Sequence, residues 1–145
     1  MDQAPLRRRT DVVVGGWLPS SGRANEVGAL LLCAFDTSGV LQFIGSVGTG
    51  FTGGERRRLG SVFADIASDA APFGDTSADT DNARWVSPIL VGSVEYREFT
   101  GRRLRHPSWK GQRADLTARE VRSRRTGLMH ALTHAGLERL WLRRG

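Results

Sequence analysis

The stretch GALLLCAFDTSGVLQFIGSVGTGFT, residues 28–52, decides the architecture. Residues 28–36 are a nearly continuous apolar run of strand length, which reads as a central strand. The Thr-Ser-Gly at 37–39 makes a turn, and residues 40–47 pair back as the next strand. Upstream, DVVVGGWL (11–18) is β-branched and then meets paired glycines, so it reads as a first strand with a bulge or sharp curl at Gly15 and Gly16. PSSGRANEV (19–27) reads as a polar loop. The result is a tight antiparallel meander.

After VGTGF (47–51) the period changes. Leu59, Val62, Phe63 and Ile66 fall on one side of a helix, with Thr52 placed to cap its start and the helix ending before Pro72. GDTSADTDNA (74–83) is an acidic loop. Residues 83–100 read as a long strand interrupted at Pro88, which sits at the strand start or at a bulge. Val91, Ser93, Glu95 and Arg97 alternate with Leu90, Gly92, Val94 and Tyr96, predicting one exposed and one buried face. A short fifth strand is expected around 103–105. Three strands, a helix and two strands in a small antiparallel sheet tend to close, because closure removes vulnerable edges. The expected fold is all-β dominated: a five-stranded oligonucleotide-binding (OB) Greek-key barrel with a helix between strands 3 and 4. A split sheet-plus-helix sandwich is the structural alternative. The expected organisation is a basic N-terminal seam at 1–10, the barrel at 11–121 and a short helical tail at 122–145, with Leu128, Leu132, Leu137, Leu140 and Trp141 as an apolar stripe.

The 145 residues suffice for one domain with a modest core. Net charge is +6, and Lys110 is the only lysine among 21 basic side chains. Arginine presents a flat fork of donors suited to phosphate oxygens. The charge is unevenly placed: residues 59–83 carry five aspartates and no cation, whereas 97–125 carry ten Arg or Lys against three acids. Such segregation suits a polyanionic partner. No apolar run approaches a bilayer span, the basic N-terminus has no hydrophobic stretch behind it, and the lone Cys33 sits in an apolar run as a buried thiol. A cytoplasmic chain with no membrane contact is expected.

Catalytic constellations are scarce. His130 and His134 lie four apart but lack a third metal ligand, GTGFTGGE lacks the GK[ST] ending of a phosphate loop, and no serine sits in G-x-S-x-G. VGTGF reads equally as a corner whose N–H groups hold a phosphate or as a tight turn in which Phe51 anchors the helix to the barrel. In LRHPSWKGQRADL (104–116), Arg105, Lys110 and Arg113 are placed to converge on one anion from a shaped loop. Asp115 holds Arg113 in a charge-assisted pair, caps a helix beginning near Thr117, or does both.

Taken together, RRRTDVVVGGWLPSSGR, LLLCAFDTSGVLQFIGSVGTGFT, ARWVSPILVGSVEYREFT and LRHPSWKGQRADL resemble the C-terminal OB domain of bacterial ATP-dependent DNA ligases of the end-joining and repair type. The resemblance runs from about residue 8 to 121. It implies a barrel that orients the ATP pyrophosphate during lysine adenylylation and then grips duplex or nicked DNA. ATP and Mg2+ are the cofactors of a complete ligase of this kind; the chain alone is expected to need none. Arg113 and Asp115 match the family's closing motif, Arg105 matches its upstream basic position, and Lys110 joins them as phosphate-facing. Arg97, Arg102, Arg103 and Thr49 are the expected DNA contacts. Leu116 stands where the motif ends in lysine, and Ser46 where a basic residue is common, so phosphate contacts are weakened. No K-x-D-G nucleophile motif occurs in the chain. It is therefore expected to be inactive alone and to require a separate adenylation-domain partner, as a fragment or half of a split ligase. A protein-interaction module derived from a ligase is the other reading.

Overall fold

The structure is a computed structural model that describes residues 8–73, 83–100, 102–118 and 121. Along the chain it forms β1 (Arg8–Ser20), β2 (Arg23–Phe35), β3 (Leu41–Val47), α1 (Gly53–Asp65), β4 (Arg84–Trp85), β5 (Val91–Tyr96), β6 (Glu98–Thr100), β7 (Arg103–Arg105) and β8 (Ser108–Gln112). The main sheet runs β3-β2-β1-β5-β8, with β4 pairing β1 beside this path and β6–β7 forming a separate hairpin. Every pairing is antiparallel. Trp109 N donates to Thr49 O at 2.9 Å and brings β8 back to the loop after β3. The five long strands thus curl into an all-β, OB-like barrel with α1 after its third strand.

The meander forms where the sequence places it, but β1 and β2 run on through most of the expected polar loop and turn only at Ser21 and Gly22, the latter at φ 77°. The curl at the paired glycines is present: the β1–β2 register shifts between Val14 and Gly16. Gly15 has no room for a side chain there, since a Cβ would lie 2.7 Å from Cys33 Sγ. The helix begins as expected, with Thr52 Oγ1 accepting from Glu55 N at 3.1 Å. Leu59 and Phe63 are buried, and Val62 and Ile66 pack partly buried against the same core.

Three expectations are corrected. Residues 83–100 are not one strand: Pro88 lies in a turn between β4 and β5, where its missing N–H costs no ladder bond. The predicted one-sided burial of β5 fails at its start, because Val91 and Ser93 are buried along with Leu90 and Val94. The sheet has apolar layers on both faces. Inside the barrel lie Val12, Val14, Leu30, Leu32, Val94 and their neighbours. Outside β2 and β3, Leu31, Cys33, Leu41 and Phe43 are covered by Phe73, and Val91 pairs with the fully buried Val13 beside them. The third correction concerns the fifth strand. Residues 103–105 pair only with β6, and the barrel's fifth strand is β8, inside the stretch read as a loop.

Burial pushes the Cys33 thiol far above its ordinary pKa, which keeps it protonated and unreactive. Among the described residues no group of three or more His, Cys, Asp or Glu could hold a metal ion, and no helix is long and apolar enough to cross a membrane. The expected tail at 122–145, with His130 and His134, and residues 1–7 of the seam lie outside the described residues.

Trp109 joins the parts. Its side chain is 1% exposed and stacks on Phe51 at 5.7 Å. Its Nε1 donates to Glu55 Oε2 at 3.0 Å, tying β8 to the first turn of α1. Gly92 of β5 lies directly beneath the indole, and a Cβ there would sit 2.0 Å from a ring carbon. Forcing a methyl group into a filled core typically costs about 1–3 kcal/mol and sometimes more. Gly92→Ala is therefore expected to lower unfolding free energy by at least about 2 kcal/mol. Urea unfolding measures this, with Gly53→Ala, at an open helix position, as the control.

Candidate nucleic-acid interface

The arginines divide into those the fold consumes and those it leaves outward. Arg56, in the first turns of α1, donates to Val27 O at 2.8 Å, Gly28 O at 3.1 Å and Gly48 O at 3.2 Å. Its guanidinium also lies 4.8 Å from the Phe51 ring centre. It clamps the helix to β2 and to the loop after β3, so this arginine is structural. Arg58 donates to Gln112 Oε1 at 2.9 Å.

Arg103, expected to contact DNA, is likewise engaged internally. It donates to Phe43 O at 3.2 Å and Arg102 O at 3.0 Å and stacks 4.7 Å above the Phe43 ring. Thr49 donates to Pro107 O at 3.2 Å. Together with the Thr49–Trp109 bond and the Phe51 stack, this makes VGTGF a buttress for β8, in line with the anchoring reading. Gly50, at φ 95°, has no space for a side chain: a Cβ would meet Trp109 O at 2.3 Å.

On the outer face of β1, β5 and β8 the strand register assembles a charged array. Arg9 is opposite Glu95, and Asp11 is opposite Ser93. Glu95 accepts from Arg9 at 3.3 Å and lies 3.8 Å from Lys110 Nζ. Arg113 makes a two-pronged contact with Asp115, Nε to Oδ1 at 3.0 Å and Nη2 to Oδ2 at 2.9 Å, as the first of the two readings of Asp115 requires. Its Nη1 donates to Asp11 Oδ1 at 3.1 Å. These carboxylates, Asp115 foremost, raise the already high pKa of Arg113 and hold it charged. Lys110 and Arg113 thus share one face. Arg105 stands apart on β7, where its Nε donates to Thr100 Oγ1 at 2.9 Å.

The β6–β7 hairpin is the other basic region. Residues 97–106 contain four arginines and one carboxylate, Glu98. Arg97 N donates to Arg105 O at 2.9 Å and closes the hairpin base. Arg97 and Arg105 are exposed, Arg102 is half-buried, and none of the three makes an ion pair among the described residues. Arg102 and His106 hold left-handed backbone, at φ 64° and 54°. Such positions are sparsely used by non-glycine residues and strained by about 1–3 kcal/mol.

Sequence reasoning missed Asp11, Glu95 and Glu55 as partners of these side chains. Each lies far along the chain from the group it serves. The available signal was polarity out of pattern, such as Asp11 ahead of the valine run of β1. A separate cavity of about 630 Å3 lies between α1 and β4, lined by Trp17, Phe63, Trp85, Arg57, Arg84 and Glu26 among others, and none of the predicted site residues reaches it.

Residues 23–116 match the family described as ATP dependent DNA ligase C terminal region. The chain is 43% identical over 115 residues to the multifunctional non-homologous end joining protein LigD of Mycolicibacterium smegmatis, covering 77% of this chain and 15% of that protein. It is 39% identical over the same span to the multifunctional non-homologous end joining DNA repair protein LigD of Mycobacterium tuberculosis. The crystal structure of the ligase domain from M. tuberculosis LigD superposes with a TM-score of 0.73 at 37% identity, covering 79% of this chain and 38% of that one. A mycobacterial DNA ligase D complexed with ATP and MES gives a TM-score of 0.67 at 37% identity, covering 78% and 36%. The chain therefore spans about 15% of the length of these curated relatives.

The division between consumed and outward arginines is testable by stability alone. Arg56→Ala strands three carbonyls and is expected to cost about 2 kcal/mol in urea unfolding. Arg97→Ala is expected to stay within about 0.5 kcal/mol of wild type. Arg102→Gly relieves a left-handed position and is expected to leave stability unchanged or slightly raised.

Proposed function

The chain belongs to the ATP-dependent DNA ligase C-terminal region family, and on that premise we propose that it binds duplex or nicked DNA and serves nick sealing together with an adenylation domain, in the same polypeptide or in a separate partner. The observation that carries this reading is the hairpin, where Arg97 and Arg105 are exposed, Arg102 is half-buried, and none of the three makes an ion pair among the described residues, although Glu98 stands opposite Arg105 in register. Uncompensated arginines project the stronger field toward a polyanion. They also release condensed counterions when phosphates replace water around them.

In this reading the two basic regions divide the labour. The hairpin arginines, with Thr49 near their base, meet the DNA backbone. Lys110 and Arg113, on the face of β1, β5 and β8, meet the phosphates of ATP, with Asp115 supporting Arg113. Arg103 contributes by holding the hairpin against β3 through Phe43. ATP and Mg2+ supply the adenylyl chemistry in a complete ligase. The chain contains no K-x-D-G lysine, so the covalent step falls to the adenylation domain.

Duplex binding across a salt series tests the proposal. The logarithm of affinity is expected to fall linearly with the logarithm of salt, at about 0.9 per phosphate neutralised. Replacing Arg97 or Arg102 by alanine or glycine is expected to reduce that slope by about one unit each. Arg56→Ala is expected to change stability and not slope. Absent or salt-insensitive duplex binding overturns the reading.

A further inference from the structure

We propose that Asp11 is a positioning residue: from β1, on the same outer face of the sheet, it anchors Arg113, so that the arginine meets a phosphate in a fixed orientation. The inference rests on the phosphate-facing role given to Arg113 above, but its geometry stands independently.

Asp11 and Arg113 are 102 residues apart, and two strand pairings separate them in space. In register, Asp11 of β1 faces Ser93 of β5, and Ser93 faces Gly111 of β8. Neighbouring strands lie roughly 4.8 Å apart, so the lane from β1 to β8 is about 10 Å wide. Ser93, which lies between them in register, carries only a hydroxyl with no hydrogen-bond partner, and so leaves the lane open to the guanidinium. The Arg113 backbone is tied to the same sheet, its N–H donating to Val91 O at 2.8 Å.

The two carboxylates on Arg113 differ in kind. The Asp11 side chain is 13% exposed and rises from the middle of a long paired strand, whereas that of Asp115 is 66% exposed and follows the last strand. Asp115 can turn into water at little cost. Asp11 cannot leave, and without Arg113 it is a nearly buried carboxylate short of a charged partner, which is expensive. A guanidinium has five N–H donors. Asp11 and Asp115 take three, leaving one on each terminal nitrogen for an incoming oxygen. If Asp115 swings away, the edge it occupied becomes free as well, while the bond from Nη1 to Asp11 keeps the guanidinium plane in place. Asp11 is thus the fixed anchor and Asp115 the exchangeable partner.

The alternative role for Asp11 is electrostatic only. Two carboxylates against one guanidinium leave a negative cluster, and removing one would then strengthen anion binding. The two roles predict opposite signs. The full chain is titrated with inorganic pyrophosphate, followed by calorimetry and by the Arg113 Nε–H signal in heteronuclear NMR. The wild type is expected to shift that signal on saturation. Asp11→Ala is expected to weaken pyrophosphate binding at least fivefold and to broaden or lose the Nε–H signal, although a negative charge has gone. Asp11→Asn, which keeps the acceptor oxygen, is expected to bind within about twofold of wild type or tighter. Backbone spectra confirm that both variants are folded. Tighter binding by Asp11→Ala, or an unmoved Arg113 signal in the wild type, overturns the proposal. Salt-dependent duplex binding alongside an unmoved signal leaves the hairpin reading standing, and pyrophosphate binding without duplex binding does the reverse.

Discussion

The indole of Trp109 is the constraint on which the rest of this barrel depends. A small sheet closes only if its last strand returns to its third, and here the return is made by one backbone bond from Trp109 N to Thr49 O. One hydrogen bond contributes on the order of 1 kcal/mol net and could not hold a strand alone. The same residue therefore also fills the barrel, stacks on Phe51 and donates to Glu55. Burying an aromatic of this size typically accounts for about 3–5 kcal/mol against alanine. Its ring leaves no room for a side chain at position 92, its backbone leaves none at Gly50, and its Nε1 ties β8 to Glu55 in the first turn of α1. Motifs that look independent in the sequence, VGTGF, Glu55 and the glycine in VGSVEY, all meet at one residue.

A second consequence concerns charge. Net charge of +6 and the count of arginines suggest an all-round basic surface. The structure gives a more selective picture. Arg56 and Arg103 act as long, flat hydrogen-bond donors that satisfy backbone carbonyls at strand ends and stack on Phe51 and Phe43. Arg9, Lys110 and Arg113 sit in a lattice with Glu95, Asp11 and Asp115. Among the described residues the hairpin's Arg97, Arg102 and Arg105 make no ion pair, as is also true of Arg57, Arg58 and Arg84 around α1 and β4. Position within the ion-pair network, more than formal charge, separates structural from available cations.

Much of the fold was legible because its signals are local. The apolar run of β2, the turn at 37–39, the spacing of Leu59, Val62, Phe63 and Ile66, and the Thr52 cap each depend on residues within about one turn of one another. The glycine curl in β1 was legible for the same reason. What failed depended on contacts far apart in sequence. Residues 108–112 carry Pro107 on one side and a glycine within, so they read as a loop; only the waiting cavity between Phe51, Glu55 and Gly92 makes them a strand. The second apolar layer around Cys33 and Phe73 altered the burial of Val91 and Ser93 in a way that alternation along one strand cannot show. At the site, Arg113 and Asp115 were paired correctly because they are two apart, and Asp11 was missed because it is 102 apart.

The last step from fold to site is a matter of parity. Trp109 points into the barrel beside Val94, and in a regular strand every second residue after it would do the same, which would turn Arg113 inward. The β5–β8 register slips by one residue: Val94 pairs with Trp109, Ser93 with Gly111, and Lys110 is the extra residue between them. Gly111, at φ 135°, takes the conformation that the slip requires. Residues directly opposed across an antiparallel pair share a face. Gly111 therefore lies outward with Ser93, Gln112 lies with Gly92, and Arg113 emerges on the outer side with Asp11. Gln112 then accepts the bond from Arg58 of α1. One inserted residue thus lets a short strand carry a core tryptophan and, in the residue just after its end, present a surface arginine on the opposite face. A strand without the bulge could supply one or the other, but not both in this register.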